Sequence, residues 1–585
     1  MTLTLRSLLI IVLLFVYGNT LAQSTRKKTP ASTPTQKTNT AQPVVQDSVK
    51  NVNQDTESED ETGKPLRKEF ESKKSSNKYY IVPTGKSGVS IFYSSGEKKD
   101  GMEEWNWSIY NNQFEEVTTK TFLINPKLGF GDFAYDESID HIYLFFGKPD
   151  NSPSLPAVNG YKDKFEVLDL DINTQSIATI EGLFTKKMHI NTLKAINGNL
   201  YIGGSVVPTM SQLIGASCVA MLTCFIGGKK RFDIFPYLIK VNKSGAEEVK
   251  VPIQKQGEIL NIEYDSTSKK ILCTSIDAPM PIDRNIVIFE IGEKAGSKPV
   301  VLKSSANYYL LNGQSQNLND KDRLIIGSYA KREAKDKLMY GISRKAKNSM
   351  PGSTGLYVAK IINNKQSIEY YPFSKFTNVA SSISTAAKGK EKKIAKISEN
   401  LNYNILLHKV IRRGDQYVMV GDIYHAVYHT ETYQAMGSNG KMTTQSRTVF
   451  DGWNFTKSLI AGFDLEGNMK WNNSFQLEDR LSSYLKEQVK VLQNPNNDKI
   501  VLVYSYGGFI KSQVLDGETL EEQISSVELY TSNESDKVKT SKYSNVSWWY
   551  NNFFIAYGYQ DIEGKKEKGK KEKRAVFYMN KVSYR

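Results

Sequence analysis

The chain has 585 residues and a formal net charge of +15, from 77 Lys and Arg against 62 Asp and Glu. Its three cysteines allow at most one intramolecular disulfide, which excludes a small disulfide-stabilised scaffold. Beyond the N-terminal signal described next, no segment reaches the roughly 18 continuous apolar residues of a membrane-spanning helix, so we expect no such helix.

Residues 1–22 have the three parts of a secretory signal peptide. Arg6 supplies the positive charge, residues 8–17 form the apolar region, and Thr20 and Ala22 are the small residues at the two positions that a signal peptidase reads. We therefore expect an exported protein, located in the periplasm, at the outer membrane or outside the cell. Residues 23–77 are polar and contain one aromatic residue, Phe70, which predicts a disordered linker.

From residue 78 to residue 585, turn signals alternate with short β-branched and aromatic segments. One such segment, apolar and ending in small residues, recurs seven times, at 141–147, 200–206, 271–276, 324–329, 417–423, 500–506 and 553–559. Flanking extended segments complete units of four strands, and residues 79–125 form a further unit. This pattern predicts an all-β fold over 78–585, a seven- or eight-bladed β-propeller of four-stranded antiparallel blades. Two β-sandwich domains are the alternative.

The last unit, residues 544–584, is one strand short. A strand from the N-terminal end of the domain would complete it and close the ring. The shortfall therefore predicts ring closure by an N-terminal strand.

Segment 461–471 resembles the A-x-D-x-x-T-G-x-x-x-W repeat of quinoprotein-type propellers. Three of its residues fall in step with that repeat: Ala461, Gly467 and Trp471. Asp464 comes one place late, and Glu466 replaces the threonine. The resemblance implies that Trp471 docks neighbouring blades. The adjacent-cysteine pair of many quinoprotein dehydrogenases is missing from the sequence, so we expect no such activity and no cofactor.

The chain as a whole is similar to exported propeller-like proteins of Bacteroidetes-type Gram-negative bacteria. The phrase at 451–455 followed by that at 461–464 carries this similarity. It implies the fold and export, and no particular activity.

Basic insertions are predicted to share one face of the ring. Consecutive connections in an antiparallel blade alternate between the two faces, and the insertions 207–234, 331–354, 425–456 and 561–574 all join second to third strands. The blade-to-blade segment 388–396 emerges on the same side. The candidate binding residues of this face are Lys229, Lys230, Arg231, Lys331, Arg332, Lys345, Lys388, Lys390, Lys392, Lys565, Lys570 and Arg574.

Such a face predicts attraction to an anionic component of the cell envelope, an acidic protein face or a membrane surface. The basic runs lack interleaved aromatic residues for base stacking, so we expect no nucleic-acid partner. Lysine-rich loops that only keep the protein soluble are the alternative interpretation.

Residues 206–228 form an apolar insertion next to Lys229. A helix over 211–226 would place Ile214, Met221, Leu222 and Phe225 on one side. This segment either packs over the mouth of the propeller or contacts a membrane or a partner. Cys218 and Cys224 can form a disulfide in an oxidising compartment. In a regular helix they would instead lie ~9 Å apart along the axis, too far to bond.

The sequence predicts no catalytic residue and no metal site. His425 and His429 are the only clustered histidines, and on a strand they would lie ~13 Å apart, too far for one metal ion. Cys273 lies in the middle of an apolar strand, which indicates a core position. We therefore expect a monomeric, non-catalytic binding or scaffolding propeller. The alternative is a glycoside hydrolase, whose carboxylates from different blades would converge in a central pocket.

Overall fold

The computed structural model describes most of the chain beyond residue 65. The described residues are 66–72, 78–148, 158–159, 163–206, 235–253, 257–265, 268–277, 285–292, 299–318, 322–332, 352–376, 404–436, 442–483, 485–493, 498–533, 535–565 and 571–583. Two 3-10 turns, Gly85–Ser87 and Phe373–Lys375, are the helical segments of these ranges. Neither is long enough to cross a membrane.

Eight antiparallel sheets follow one another along the chain, and each forms one blade. The strands of the first four blades are β2 (Tyr80–Pro83), β3 (Val89–Lys99), β4 (Met102–Tyr110) and β5 (Glu116–Ile124) in blade 1; β6 (Gly129–Asp136), β7 (His141–Gly147), β9 (Lys164–Asp171) and β10 (Ser176–Leu183) in blade 2; β11 (Met188–Ile196), β12 (Asn199–Val206), β13 (Pro236–Asn242) and β14 (Gly245–Glu248), with β8 (Val158–Asn159) beside β11, in blade 3; and β15 (Gly257–Asp265), β16 (Lys270–Asp277), β17 (Asn285–Ile291) and β18 (Val300–Leu302) in blade 4.

The other four blades keep this order, with some strands split in two. Their strands are β19 (Tyr308–Leu310), β20 (Gln314–Asn317), β21 (Arg323–Lys331), β22 (Gly355–Ile362) and β23 (Lys365–Pro372) in blade 5; β24 (Asn404–Leu407), β25 (Ile411–Arg413), β26 (Gln416–Met436), β27 (Met442–Asp464) and β28 (Met469–Ser482) in blade 6; β29 (Lys490–Gln493), β30 (Ile500–Tyr506), β31 (Phe509–Asp516), β32 (Thr519–Leu520) and β33 (Ser525–Glu528) in blade 7; and β34 (Lys537–Tyr550), β35 (Phe553–Lys565), β36 (Lys571–Ser583) and β1 (Arg67–Glu71) in blade 8.

Strand β1 closes the ring, as the short last unit predicted. It pairs antiparallel with β36, with Phe70 opposite Phe577. This strand falls inside the segment 23–77 that was predicted to be disordered, and there the prediction was wrong. The reason is the single aromatic residue of that segment, because the ring of Phe70 packs 5.7 Å from Tyr79 and 6.1 Å from Phe577 between centroids.

Eight hydrophobic clusters fill the eight interfaces between consecutive blades. The cluster that joins the last blade to the first contains Ile81 and Val89 of blade 1 and Ile555 and Phe577 of blade 8. Since every blade packs on the one before and the one after it, the sheets form a closed eight-bladed propeller. Two separate β-sandwiches are excluded.

The recurring apolar segment of the sequence is the second strand of its blade in each of the seven cases. All seven residues of β7, for example, are buried. A second strand lies inside its sheet and has neighbouring blades on both faces, so both of its faces are apolar and the usual alternation is lost. Cys273 lies in such a strand, β16, and is fully buried, as predicted.

Trp471 lies at the interface of blades 6 and 7, in one hydrophobic cluster with Ile500 and Leu502. Its Nε1 donates a hydrogen bond to Oε1 of Gln416, at 3.0 Å. A Cβ on Gly462 would lie 2.1 Å from the indole, so only glycine leaves room for the ring there. Trp471 therefore joins two blades, as the resemblance to the quinoprotein-type repeat implied.

Candidate partner-binding face

The two faces of the ring differ in their connections. The turns between first and second strands and between third and fourth strands lie on one face, which we call the turn face. The connections between second and third strands, and those between blades, lie on the other, which we call the loop face. On the loop face the second–third hairpins of blades 1, 6 and 8 are long, and the strands of β26–β27 contain 21 and 23 residues.

Most of the predicted binding residues lie outside the described residues. These are Lys229, Lys230, Arg231, Lys345, Lys388, Lys390, Lys392 and Lys570 of the basic set, Ile214, Met221, Leu222 and Phe225 of the apolar insertion, and Cys218 and Cys224. The strands that flank three of these segments are described, and they show on which face of the ring each connection begins and ends. β12, β21 and β35 end on the loop face, and β13, β22 and β36 begin there.

Two of the predicted cations are held in structural bonds. Arg332 donates from Nε to the carbonyl oxygen of Tyr308 at 3.2 Å and from Nη2 to Oγ of Ser304 at 3.1 Å. Arg574 binds the Asp536 carboxylate, and its Nη2 lies 3.1 Å from Oε2 of Glu69. Arg574 therefore ties the closing strand β1 to blade 8.

Blade 8 carries a concentration of lysines. Its strands β34, β35 and β36 hold eight Lys and Arg against three Asp and Glu, a net charge of +5. Lys539 and Lys542 are paired with Glu563 and Asp561 at 3.2 and 3.5 Å. We call the loop-face end of these three strands the cationic end of blade 8.

Other lysines of the cationic end face solvent or lie at the hairpin tip. Lys537 and Lys573 are exposed. Lys565 and Lys571 are opposite each other in the last pair of the hairpin. The hairpin of blade 1 differs, because residues 97–104 hold two lysines against four carboxylates. Of these two hairpins, the one in blade 8 carries the positive charge.

Arg480 joins three blades near the loop face. Its guanidinium donates to the carbonyl oxygen of Ser505 at 2.6 Å, to Oδ1 of Asn545 at 2.6 Å, and to the carbonyl oxygen of Ser544. Burial lowers the pKa of Arg480 from its ordinary value. One side chain thus joins the end of β28 in blade 6 to segments of blades 7 and 8.

The residues next to these contacts are large, apolar and solvent-facing. Their exposed fractions are 56% for Leu481, 37% for Tyr506, 37% for Phe509 and 77% for Tyr543, and they lie on different sides of blades 6, 7 and 8. Leu481 follows Arg480, Tyr506 follows Ser505, and Tyr543 precedes Ser544. Phe509 is opposite Tyr506 in the hairpin of blade 7.

The backbone at Tyr543 is strained. Its φ is +52°, a left-handed conformation that is rare for a bulky residue. It lies in a bulge where the register of β34 shifts between Lys542 and Asn545. The amide nitrogen of the Asn545 side chain donates to the carbonyl oxygen of Tyr543 at 3.1 Å and stabilises the bulge. The strained backbone presents the exposed ring of Tyr543, which lies 6.2 Å from the ring of Tyr559 between centroids.

Charged residues also converge on the central channel. Burial raises the pKa of Glu263, on the inner strand β15, to about 7, although Lys409 of blade 6 and Arg323 of blade 5 act to lower it. The nearby Asp265 accepts a hydrogen bond from the backbone nitrogen of Ser268 at 3.1 Å and binds the Asn317 side chain. With Asp265 engaged in this way, the two carboxylates do not form the free pair expected for a glycoside hydrolase.

An ion pair crosses the loop-face end of the channel. Nζ of Lys486, in the connection between blades 6 and 7, lies 2.7 and 2.9 Å from the carboxylate oxygens of Asp132. Asp132 belongs to the inner strand β6 of blade 2, on the opposite side of the ring. This contact joins two distant blades across the channel.

A buried Ser–Asp–His cluster between blades 6 and 7 does not have the geometry of a catalytic triad. Ser458 donates from Oγ to Asp422, and Nε2 of His408 lies 3.1 Å from Oδ2 of Asp422. The carboxylate is thus the central group, whereas activation of a serine requires the imidazole between the hydroxyl and the carboxylate. We assign these residues a structural role.

The two clustered histidines lie on strand β26, in a segment that the sequence analysis treated as an insertion. His429 binds Asp451 across the hairpin, and its Nε2 lies 3.3 Å from Oε1 of Glu431. Within the described ranges, no three His, Cys, Asp or Glu side chains are grouped to hold a metal ion.

Sequence reasoning missed the contacts of Arg480. Arg480, Ser505 and Ser544 are 25 and 39 residues apart along the chain, and no local pattern connects them. The hydrogen bonds that bring them together exist only in the folded protein.

Comparisons with known proteins give likeness of structure only. No known protein family and no curated protein matches the sequence. Among solved structures, the dihydro-heme d1 dehydrogenase NirN is 9% identical, with a TM-score of 0.40 over 90% of this chain and 78% of that one. The WD40 domain of Toxoplasma gondii coronin is 9% identical, with a TM-score of 0.30 over 77% and 81% of the two chains. A prolyl endopeptidase is 10% identical, with a TM-score of 0.33; the alignment spans 82% of this chain and about half (53%) of that one.

Proposed function

We propose that this protein is an exported, non-catalytic binding propeller that contacts an anionic partner through its loop face. The observation that carries the proposal is the charge of blade 8, where three adjacent strands hold seven Lys and Arg, apart from the buried Lys581, against three Asp and Glu. Clustered ammonium groups on one face raise the local concentration of an anionic partner and accelerate its approach.

The shape of blade 8 supports this role. The β35–β36 hairpin has 13 residues in each strand, against seven and eight in the equivalent β30–β31 hairpin of blade 7. Because of this added length, Lys565, Lys571 and Lys573 lie in the part of the hairpin that extends past the core of the blade. An extended hairpin can reach a large partner that the ring itself does not touch.

The chemistry of the channel also favours binding over catalysis. Asp132 is paired with Lys486, Asp265 is hydrogen bonded to Ser268 and Asn317, and Asp422 is buried against His408. Each of these carboxylates stabilises the ring. We therefore propose a role that depends on surface charge.

Heparin-affinity chromatography of charge-reversal variants tests the proposal. In one variant Lys565, Lys571 and Lys573 on blade 8 become glutamate. The matched control reverses three exposed lysines of the turn face, Lys86, Lys243 and Lys365, and so changes the net charge equally. We expect the blade 8 variant to elute at much lower salt than the parent and the control to elute near the parent. Equal elution of the two variants would contradict the proposal.

A further inference from the structure

The hairpin of strands β26 and β27 extends far past the core of blade 6. Strand β24 pairs with β26 from Gly421 to Tyr424, whereas β27 pairs with it as far as Met436. Beyond Tyr424, β27 is therefore the one described strand that pairs with β26. We call residues 425–432 of β26 the open edge. The edge of a sheet offers a row of backbone donors and acceptors to an added strand.

Other edge strands of the ring carry groups that discourage pairing. The outer strand β23 of blade 5 begins at Lys365 and ends at Pro372, and the outer strand β14 of blade 3 ends in Glu247 and Glu248. Lysine, proline and charge are common protection of an edge. Residues 425–436 of β26 contain no proline and no lysine, and five of these twelve are valine, tyrosine or threonine, which favour strands. This edge therefore favours pairing.

We infer that two copies of the protein associate by antiparallel pairing of their open edges, with Thr430 of one copy opposite Thr430 of the other. The inference goes beyond the proposed function, which concerns blade 8 and does not depend on it. A dimer also differs from the monomer that the sequence predicted.

Charge complementarity selects the second copy and this register. With a two-fold axis at Thr430, His429 of each copy lies opposite Glu431 of the other, on the same face of the sheet. Two cross-strand pairs of opposite charge then form across the interface, and such pairs stabilise a sheet. An axis at His429 or at Glu431 would instead place two identical groups opposite each other. The open edge is thus complementary to itself in the register centred on Thr430.

The charged forms of His429 and Glu431 are favoured by their own hairpin. Hydrogen bonding to Asp451, and next to Glu431, raises the pKa of the His429 imidazole. Hydrogen bonding to Arg447 lowers the pKa of Glu431, and Nη2 of Arg447 lies 2.6 Å from Oε2 of Glu431. In the dimer, charges of alternating sign follow one another from Arg447 through Glu431 to His429 of the second copy.

The neighbouring pairs fit the same register. Tyr428 of one copy lies opposite Thr432 of the other, and Val427 lies opposite Tyr433. An aromatic side chain beside a β-branched one is a favourable cross-strand pair. The product is a four-stranded sheet with β26 of both copies at its centre, and such a sheet is more stable than a lone two-stranded ribbon.

The length of the hairpin keeps the two rings apart. Strand β26 continues to Met436, about 40 Å beyond Tyr424 at ~3.3 Å per residue. The paired hairpins run in opposite directions, so the two rings lie at opposite ends of the new sheet. Their loop faces therefore do not collide.

Self-association of charge variants tests the inference. Sedimentation velocity compares the parent, Glu431→Lys and the control Glu466→Lys, which makes the same charge change at an exposed position of the turn face. We expect the parent and the control to form dimers of equal affinity. We expect Glu431→Lys to self-associate about tenfold more weakly, because two attractive pairs become repulsive. A monomeric parent, or equal self-association of Glu431→Lys and the control, would overturn the inference.

Mixing two variants separates the interface from effects within one hairpin. His429→Glu places carboxylates opposite each other in its own dimer, and Glu431→Lys places cations opposite each other. In the mixed dimer, His429 of one chain faces Glu431 of the other, and the lysine introduced at position 431 faces the glutamate introduced at position 429. We expect the mixture to dimerise nearly as well as the parent and each variant alone to dimerise more weakly. A mixture that associates no better than its components would refute the register.

A cysteine at the two-fold axis gives an independent measurement. In a chain with Cys218 and Cys224 replaced by serine, Thr430→Cys brings two thiols opposite each other, whereas Thr444→Cys on β27 keeps them apart. Both threonines are exposed, and Cys273 is buried. We expect an oxidant to link the first variant into a covalent dimer much faster than the second. Equal rates of linkage would show that the copies do not pair through β26.

Discussion

Nε2 of His408 lies 3.1 Å from Oδ2 of Asp422, with both side chains buried between blades 6 and 7. The carboxylate also accepts hydrogen bonds from Oγ of Ser458 and from the backbone nitrogen of Gln488, the latter at 2.7 Å. His408 belongs to the inner edge of blade 6, and Gln488 precedes the inner strand of blade 7. One carboxylate therefore joins two blades where the chain passes between them.

Replacing Asp422 by asparagine should destabilise the protein strongly. The substitution leaves His408 without its counter-charge in a buried site, and removing one partner of a buried ion pair costs about 3 to 5 kcal/mol. The measurement is urea unfolding, followed by tryptophan fluorescence. Asp516→Asn is the control, because Asp516 pairs with Lys499 in solvent and its loss should leave the midpoint unchanged. A midpoint for Asp422→Asn equal to that of the control would contradict the structural role.

The same pair should produce a maximum in stability against pH. Burial opposes the charged form of His408, but Asp422 outweighs it and raises the pKa of the imidazole; burial likewise opposes ionisation of Asp422, while His408 and the hydrogen bonds lower its pKa. The stabilisation from His408 is present below its unfolded pKa and is lost as pH rises through the folded value. That from Asp422 is present above its unfolded pKa and is lost as pH falls through the folded value.

The contribution of the pair is therefore greatest between about pH 4 and about pH 6.5, the ordinary pKa values of the two groups. Thermal unfolding of the parent and of His408→Gln across this range provides the measurement. We expect the melting temperature of the variant to fall less than that of the parent as the pH rises above about 6.5. If the variant has the same dependence of melting temperature on pH as the parent, the pair does not control that dependence.

Glu263 should reduce stability as the pH rises. Burial raises its pKa to about 7, above the ordinary value of about 4.3. Its favourable contribution to the free energy of unfolding is present below the ordinary pKa and is lost as the pH rises through about 7. The reason is that ionisation of this carboxyl costs more free energy in the folded protein than in the unfolded chain. We expect Glu263→Gln to unfold at higher urea than the parent near pH 8 and at similar urea near pH 5. Greater stability of the parent near pH 8 would show that Glu263 is stabilised there as a carboxylate.

Truncation should locate the start of the folded domain. Deletion of residues 23–65 leaves β1 intact, whereas deletion of 23–77 removes it and leaves β36 with an unpaired edge. An exposed edge strand promotes aggregation, and the cluster around Phe70 and Phe577 loses its cover. We expect the shorter deletion to melt like the parent and the longer one to melt lower and aggregate. Equal melting of the two would show that β1 is dispensable for ring closure.

The sequence predicted the body of the propeller because the second strands are its most regular feature. Segments such as 141–147 and 500–506 are apolar throughout, since they are enclosed on both faces. The number of blades stayed open between seven and eight because the first strands are short or divided, as in β19 with β20 and β24 with β25. Strand β1 was missed because Phe70 is the only aromatic residue in a polar segment.

The candidate site was less predictable than the fold. The basic hairpin at 561–574 is visible in the sequence as a run of lysines, but its arginine, Arg574, serves the closure of the ring. The hydrogen bonds of Arg480 join residues from three blades. Contacts of this kind depend on which blades are neighbours in the ring, and no local sequence pattern predicts them.

The central claim is that the lysines of blade 8 bind a polyanion, and its salt dependence tests it most directly. Heparin affinity is measured by titration at increasing salt for the parent, for the variant with Lys565, Lys571 and Lys573 reversed, and for the turn-face control. The attraction between exposed charges is screened as the Debye length falls from about 30 Å at 0.01 M to about 8 Å at 0.15 M salt. We expect a steep loss of affinity in the parent and the control, and a weak, shallow dependence in the blade 8 variant. Identical slopes in all three proteins would contradict the claim.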